Sequence, residues 1–200
     1  MRTFRSRSRK TLQTIWNSLI HSRLDYCSQL WSPSLASEIS KIEDIQRHYT
    51  KKIEGMENLS YRERLSKPGL YSQERRRDRY TVIFIWKIAM GMVDGYKLDF
   101  VNEGTRRGRE CVDANIVRNS PATVRRARES SLSVKGARMF NLLPSNLRNI
   151  SSNQVNHFKS KLDSFLKTIP DEPTSPEQGR VAESNSLLHQ VPLANLNTIF

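Results

Sequence analysis

Two cysteines in 200 residues, Cys27 and Cys111, are too few for a disulfide scaffold or a cysteine-rich zinc site. No apolar run approaches the roughly 18 residues that a membrane helix needs, so an integral membrane protein is not expected. The longest apolar stretch is Val82–Trp86, interrupted at once by Lys87. Acid is missing from the start of the chain: the first carboxylate is Asp25, while residues 1–10 hold five basic groups. Such a start suits a mitochondrial presequence, although the helical period runs on past residue 24 without a break. No 7–15-residue apolar stretch follows it, so a secretory signal is not expected. Glycine-rich phosphate loops, strand-like alternation and internal repeats are absent from the sequence. The adjacent acid pairs are Glu43-Asp44 and Asp171-Glu172, and there is no Asp-Asp.

What the chain has is basic charge. Lys and Arg number 33 against 20 Asp and Glu, a formal net charge of +13. Residues 1–100 carry net +8, residues 101–168 again net +8, and residues 169–200 net −3. A field of this sign attracts phosphate backbones. The acidic end, with Pro170, Pro173 and Pro176, reads as a disordered tail.

Apolar residues recur at helical spacing. Leu12, Ile15, Trp16, Leu19, Ile20, Leu24, Cys27, Leu30 and Trp31 trace one stripe, which predicts a helix from Lys10 to Trp31 stopped by Pro33. Ile39, Ile42, Ile45, Tyr49 and Ile53 predict a second, capped by Ser37 and packed on the first with Trp16, Leu19, Ile42 and Ile45 buried. Ser60-Tyr-Arg-Glu63 has capping-box spacing for a short third helix. Ser72 can cap a fourth, from about Gln73 to Met90, whose charged start should be wet and whose apolar second half should be buried. Residues 97–130 lose periodicity, and seven arginines fall between 106 and 128. Helical pattern resumes at Ser131, and Ser151-Ser-Asn-Gln154 has capping-box spacing for a helix carrying Val155, Phe158, Leu162, Phe165 and Leu166. The expectation is an all-α protein: a helical bundle over 1–96, an Arg-rich linker over 97–130, a small helical unit over 131–168 and a disordered acidic tail over 169–200.

The four histidines have no His or Cys partner at metal-ligand spacing; His21 has only Asp25 at i+4. Cys27, on the apolar stripe, reads as a small core residue. No catalytic residue, metal or cofactor is expected from the residues. The candidate phosphate contacts are Arg75, Arg76, Arg77 and Arg79 on the fourth helix, and Arg106, Arg107, Arg109, Arg125, Arg126 and Arg128 in the linker, because the guanidinium fork suits phosphate. On order alone, the helical arginines should contribute more than those of a linker that must first be fixed.

Several strings together carry a family resemblance: Leu24-Asp-Tyr-Cys-Ser-Gln-Leu-Trp-Ser-Pro33, Ile42-Glu-Asp-Ile-Gln-Arg-His-Tyr-Thr-Lys51, Leu59-Ser-Tyr-Arg-Glu-Arg-Leu65 and Gly69-Leu-Tyr-Ser-Gln-Glu-Arg-Arg-Arg77. With the stretch from Val134 through Asn141-Leu-Leu-Pro144 to Phe158-Lys-Ser-Lys-Leu-Asp163, they resemble, in order and approximate spacing, the region after the palm of jockey-like non-LTR retrotransposon reverse transcriptases. The resemblance covers roughly residues 4–168. It implies thumb and post-thumb helices that grip a template–primer duplex of RNA and DNA. It implies no catalysis by this chain, because the family's polymerase aspartates lie in a palm that none of these residues matches. The expected protein is an intracellular, nuclear or cytoplasmic, nucleic-acid-binding remnant or fragment. The alternative is a helical protein–protein module whose basic face is incidental.

Overall fold

A computed structural model describes residues 8–95, 98, 100–101, 110–111, 121–173 and 184–197. The fold is all-α apart from one two-residue antiparallel pair, Phe100–Val101 with Glu110–Cys111, in the register Phe100↔Cys111. The chain divides into two compact units, residues 1–77 with 171–185 and residues 78–170 with 186–200. The division falls inside a helix, not in the arginine-rich stretch.

In the first unit, Ser8 caps α1 (Arg9–Ile15) by accepting from Thr11 N at 3.3 Å. The chain stays helical through a π-helical turn, Trp16–His21, and α2 (Ser22–Asp25). It then breaks where one helix to Trp31 was expected. Tyr26 turns extended and Cys27 adopts φ 48°, a left-handed conformation disfavoured for any residue with a Cβ. Two bonds hold the break: Leu30 N donates to Cys27 O at 2.9 Å, and Trp31 Nε1 donates to Tyr26 O at 2.6 Å. Cys27 is exposed, not a core residue. The short α3 (Ser28–Trp31) leaves Leu30 and Trp31 exposed too.

The helix α4 (Ala36–Thr50) starts after Leu35, without a side-chain cap from Ser37. It is rotated from the face that its isoleucines predict. Ile45 is exposed and Ile42 half-buried, while Glu43, Gln46, Tyr49 and Thr50 point inward. Leu19 is exposed as well. The inward polar groups are bonded: Gln46 Nε2 donates to Tyr71 O at 2.9 Å, and Tyr49 OH to Leu12 O at 2.5 Å. The apolar core, Leu12, Trp16, Tyr49, Ile53 and Met56, still joins α1 to α4, with Trp16 and Tyr49 rings 4.6 Å apart. α5 (Tyr61–Ser66) opens on the expected capping box of Ser60 and Glu63. The Ser60 hydroxyl and N–H both donate to the Glu63 carboxylate and hold its pKa below the ordinary value.

α6 (Gln73–Ala89) is capped by Ser72, whose Oγ accepts from Arg75 N at 3.1 Å. In the second unit its residues Val82, Ile85 and Trp86 are fully buried. Gly91, at φ 67°, terminates it, donating back to Ile88 O while Met92 N reaches Lys87 O. α7 (Ala122–Ser130) is a helix inside the stretch expected as linker; its arginine-rich sequence hides the signal because it has no apolar stripe. Further helices follow: α8 (Ala137–Asn141), entered through a π-helical turn Leu132–Gly136, then α9 (Ser145–Arg148) and α10 (Val155–Lys167). Trp86 stacks on Phe158 with centroids 4.4 Å apart and planes 8° from parallel.

The acidic end is ordered where described. α11 (Leu187–Asn197) buries Leu187 and Val191, and Asp78 Oδ2 accepts from Ser186 Oγ and Leu187 N, both at 2.9 Å. Leu187, Leu188, Val191, Leu193 and Leu196 make this helix apolar, but Pro192 inside it argues against a helix in a sequence reading. No helix among the described residues is long and apolar enough to cross a membrane.

Candidate nucleic-acid interface

The charged start of α6 is buried, not wet. In the first unit Arg75 is 0% exposed and Arg77 3%. Arg75 Nη2 lies 3.4 Å from Asn185 O, and Arg77 Nε donates to Ser32 Oγ at 3.2 Å. Arg76 forms a fork with Asp25, Nε to Oδ1 at 2.9 Å and Nη2 to Oδ2 at 2.7 Å. In the second unit Arg79 does the same with Asp163, at 2.5 and 2.8 Å. Removing a guanidinium from water costs several kcal/mol unless hydrogen bonds and opposite charge offset it, so Arg75 and Arg77 belong to the interior and the half-buried Arg76 and Arg79 to their ion pairs. As placed, they do not form the phosphate-facing patch that their sequence clustering predicted. A run of four basic residues in one and a half turns looks solvated because the partners lie far off in sequence.

Of the other candidates, Arg106, Arg107 and Arg109 lie outside the described residues. Arg125, Arg126 and Arg128 share α7; Arg128 is exposed, and the side chains of the first two lie outside the described set. The exposed cations that sequence reasoning passed over are mostly lysines and scattered arginines. In the first unit Lys10, Arg23, Lys41, Lys51, Lys52 and Lys67 are exposed; in the second, Lys161 and Lys167. The doublet Lys51-Lys52, just past the end of α4, was the legible signal among them.

A buried polar cluster in the first unit was not foreseen. Glu43 accepts from Gln73 N at 2.8 Å and from Tyr61 OH; Gln73 Nε2 donates to Gln46 Oε1. Arg47 and Arg64 stand over the Tyr61 ring at 4.8 and 5.4 Å. Burial pushes Glu43 up to about 7 against the lowering pull of its hydrogen bonds, and pushes Tyr61 far up. Asp171 Oδ2 accepts from Ser72 N at 2.8 Å, and Asn185 Nδ2 donates to Asp171 Oδ1 at 2.6 Å. Both first N–H groups at the head of α6 are thus met by carboxylates, as the helix dipole favours. His21, also buried, is held neutral. Trp16 Nε1 donates to its Nε2 at 2.5 Å, and Asn17 Oδ1 takes its Nδ1–H at 3.1 Å. Burial first, then Arg76, lowers its pKa to about 4.

No group of three or more His, Cys, Asp or Glu that could hold a metal occurs among the described residues. A small apolar crevice of about 10 Å³ in the first unit, lined by Trp16, Tyr49, Ile53, Pro68, Leu70 and Arg9 among others, has room for little more than a water molecule. No protein-family model, curated protein or solved structure matches the chain.

Proposed function

We propose that the chain is a nucleic-acid-binding remnant or fragment of a non-LTR retrotransposon RNA-directed DNA polymerase, without polymerase activity of its own. The observation that carries this reading is the ordered set of strings from Leu24 to Asp163 that resembles the post-palm region of that family. The net charge of +13 and the exposed cations on each unit supply the sequence-independent attraction such a role needs. Absence of an Asp-Asp pair from the sequence agrees with a non-catalytic part, since two-metal phosphoryl transfer requires paired carboxylates. The test is titration of the full chain with an RNA–DNA duplex at several salt concentrations. Binding should weaken linearly in log–log form by roughly 0.7–0.9 per neutralised phosphate. No binding, or binding indifferent to salt, overturns the reading.

One observation favours a second reading, a helical protein–protein module. In the first unit Leu19, Tyr26, Leu30 and Leu35 are all more than half exposed. Large apolar side chains left in water are characteristic of surfaces that meet other proteins. Salt-indifferent binding to a protein partner, with none to duplex, selects this reading.

A further inference from the structure

The end of α7 reads Arg125-Arg126-Ala127-Arg128-Glu129-Ser130-Ser131. Ser131 has arginine three and five residues before it, and no other serine or threonine among the 200 residues has both. Arginines at fixed offsets before a hydroxyl give an acidic kinase cleft its register and its specificity, through charge and forked hydrogen bonds. A kinase must also be able to draw its substrate into an extended form, so the local cost of unwinding decides which hydroxyl is used.

Here α7 is cheap to open. Every position of α7 whose exposure is described is exposed, save half-buried Glu129. A nine-residue helix that buries none of its described positions is marginal in water. Ser131 already stands outside it in an extended conformation, φ −65° and ψ 150°. Its half-exposed hydroxyl donates to Arg128 O at 2.6 Å and lies 3.0 Å from Ser133 Oγ. The contrast is Ser164, which has Lys159 and Lys161 at the same two offsets. It sits inside α10, whose Phe158, Leu162 and Leu166 are buried, so presenting it means tearing out core. Ser130 has Arg125 five residues before it but Ala127 three before.

We propose that Ser131 is a phosphoacceptor for an arginine-directed serine/threonine kinase. In the transfer, Ser131 Oγ attacks the γ-phosphorus of magnesium-bound ATP. The Oγ–P bond forms, the bond from that phosphorus to the β,γ-bridging oxygen breaks, and ADP leaves. The serine proton passes to the kinase's catalytic carboxylate. The product carries about 1.5–2 negative charges at neutral pH, three residues from Arg128 and so within reach of it. Residues 125–131 hold three arginines against Glu129, and this charge brings their net +2 close to zero. The site stands independently of the nucleic-acid reading.

The test incubates the full chain with magnesium ATP and the catalytic domain of an arginine-directed kinase, and maps the phosphate by tandem mass spectrometry. Ser131 is expected as the dominant site. Labelling should fall at least tenfold in S131A, and at least tenfold at Ser131 itself in the R126Q/R128Q variant, where the acceptor is intact. Mapping on the unsubstituted chain keeps the result independent of whether either variant folds. Preferential labelling of Ser8, Ser130 or Ser164, or undiminished labelling of Ser131 after R126Q/R128Q, overturns the proposal.

Discussion

Arg76 and Asp25, 51 residues apart, meet side-on through two parallel hydrogen bonds, with about three quarters or more of each side chain out of water. The pair ties the head of α6 to the end of α2. Fork-to-fork geometry is the strongest form of ion pair, and loss of one partner strands the other charge in a poorly solvated place. Asp25→Asn or Arg76→Gln should therefore each destabilise the protein by about 2–4 kcal/mol. In a double-mutant cycle, the two changes together should cost clearly less than the two separate costs combined. Urea denaturation of the four proteins checks this.

The rotation of α4 makes an uncommon ranking testable. Ile45→Asp, on the apolar stripe but exposed, should change stability by no more than about 1 kcal/mol. Gln46→Ala, one residue on and fully buried, removes the partner of Tyr71 O and of Gln73, and should cost about 1–3 kcal/mol. Thermal melts followed by circular dichroism would give the order; the reverse order would restore the isoleucine face to the interior.

Gly136 has no room for a side chain. A Cβ there would lie 2.7 Å from Ile85 Cδ1 and 2.8 Å from Ile85 Cγ1. Gly136→Ala should cost about 1–3 kcal/mol by overpacking, and Ile85→Val in the same chain should recover part of it by removing Cδ1. Melting midpoints of the single and double variants measure the recovery.

Two buried groups should pull stability in opposite directions with pH. His21 titrates near 4 when folded against an ordinary 6.5, so the unfolded chain binds the extra proton between those values and stability falls as pH drops from 6.5 to 4. Glu43 titrates near 7 against an ordinary 4.5, so the folded chain holds the extra proton and stability falls as pH rises from 4.5 to 7. Between 4.5 and 6.5 the two slopes oppose each other. Glu43→Gln, which can still accept from Gln73 N and Tyr61 OH, should remove the second slope and leave stability rising with pH over that window. Urea midpoints across pH 4–7.5 compare the two proteins; parallel curves would contradict the assignment.

The all-α class and many helix starts were legible because they rest on local signals. Ser60 and Ser72 make the expected side-chain bonds to the first turns of α5 and α6, whereas Ser37 and Ser151 make none, and the apolar half of α6 is buried as its composition demands. What stayed hidden depends on distant partners. The four arginines of α6 look like a binding face until Asp25, Ser32, Asp163 and Asn185 are brought to them. The face of α4 could not be chosen from its isoleucines, because Tyr61, Tyr71 and Gln73 satisfy the polar alternative. Helix in the acidic end starts on bonds from Asn185 to Ser72 and from Leu187 N to Asp78, partners more than a hundred residues off, and Pro192 masks its apolar positions.

The division of labour between the two arginine groups can be read from salt slopes. Arg76→Gln should lower the melting temperature yet leave the slope of log affinity for an RNA–DNA duplex against log salt unchanged, measured below the melt. Arg125→Gln, Arg126→Gln and Arg128→Gln together should do the opposite: an unchanged melt, and a slope smaller in magnitude by roughly 0.7–0.9 for each phosphate that is no longer neutralised. A slope reduced by the α6 change and untouched by the α7 triple change would contradict an interior role for α6 and return the phosphate-binding face to it.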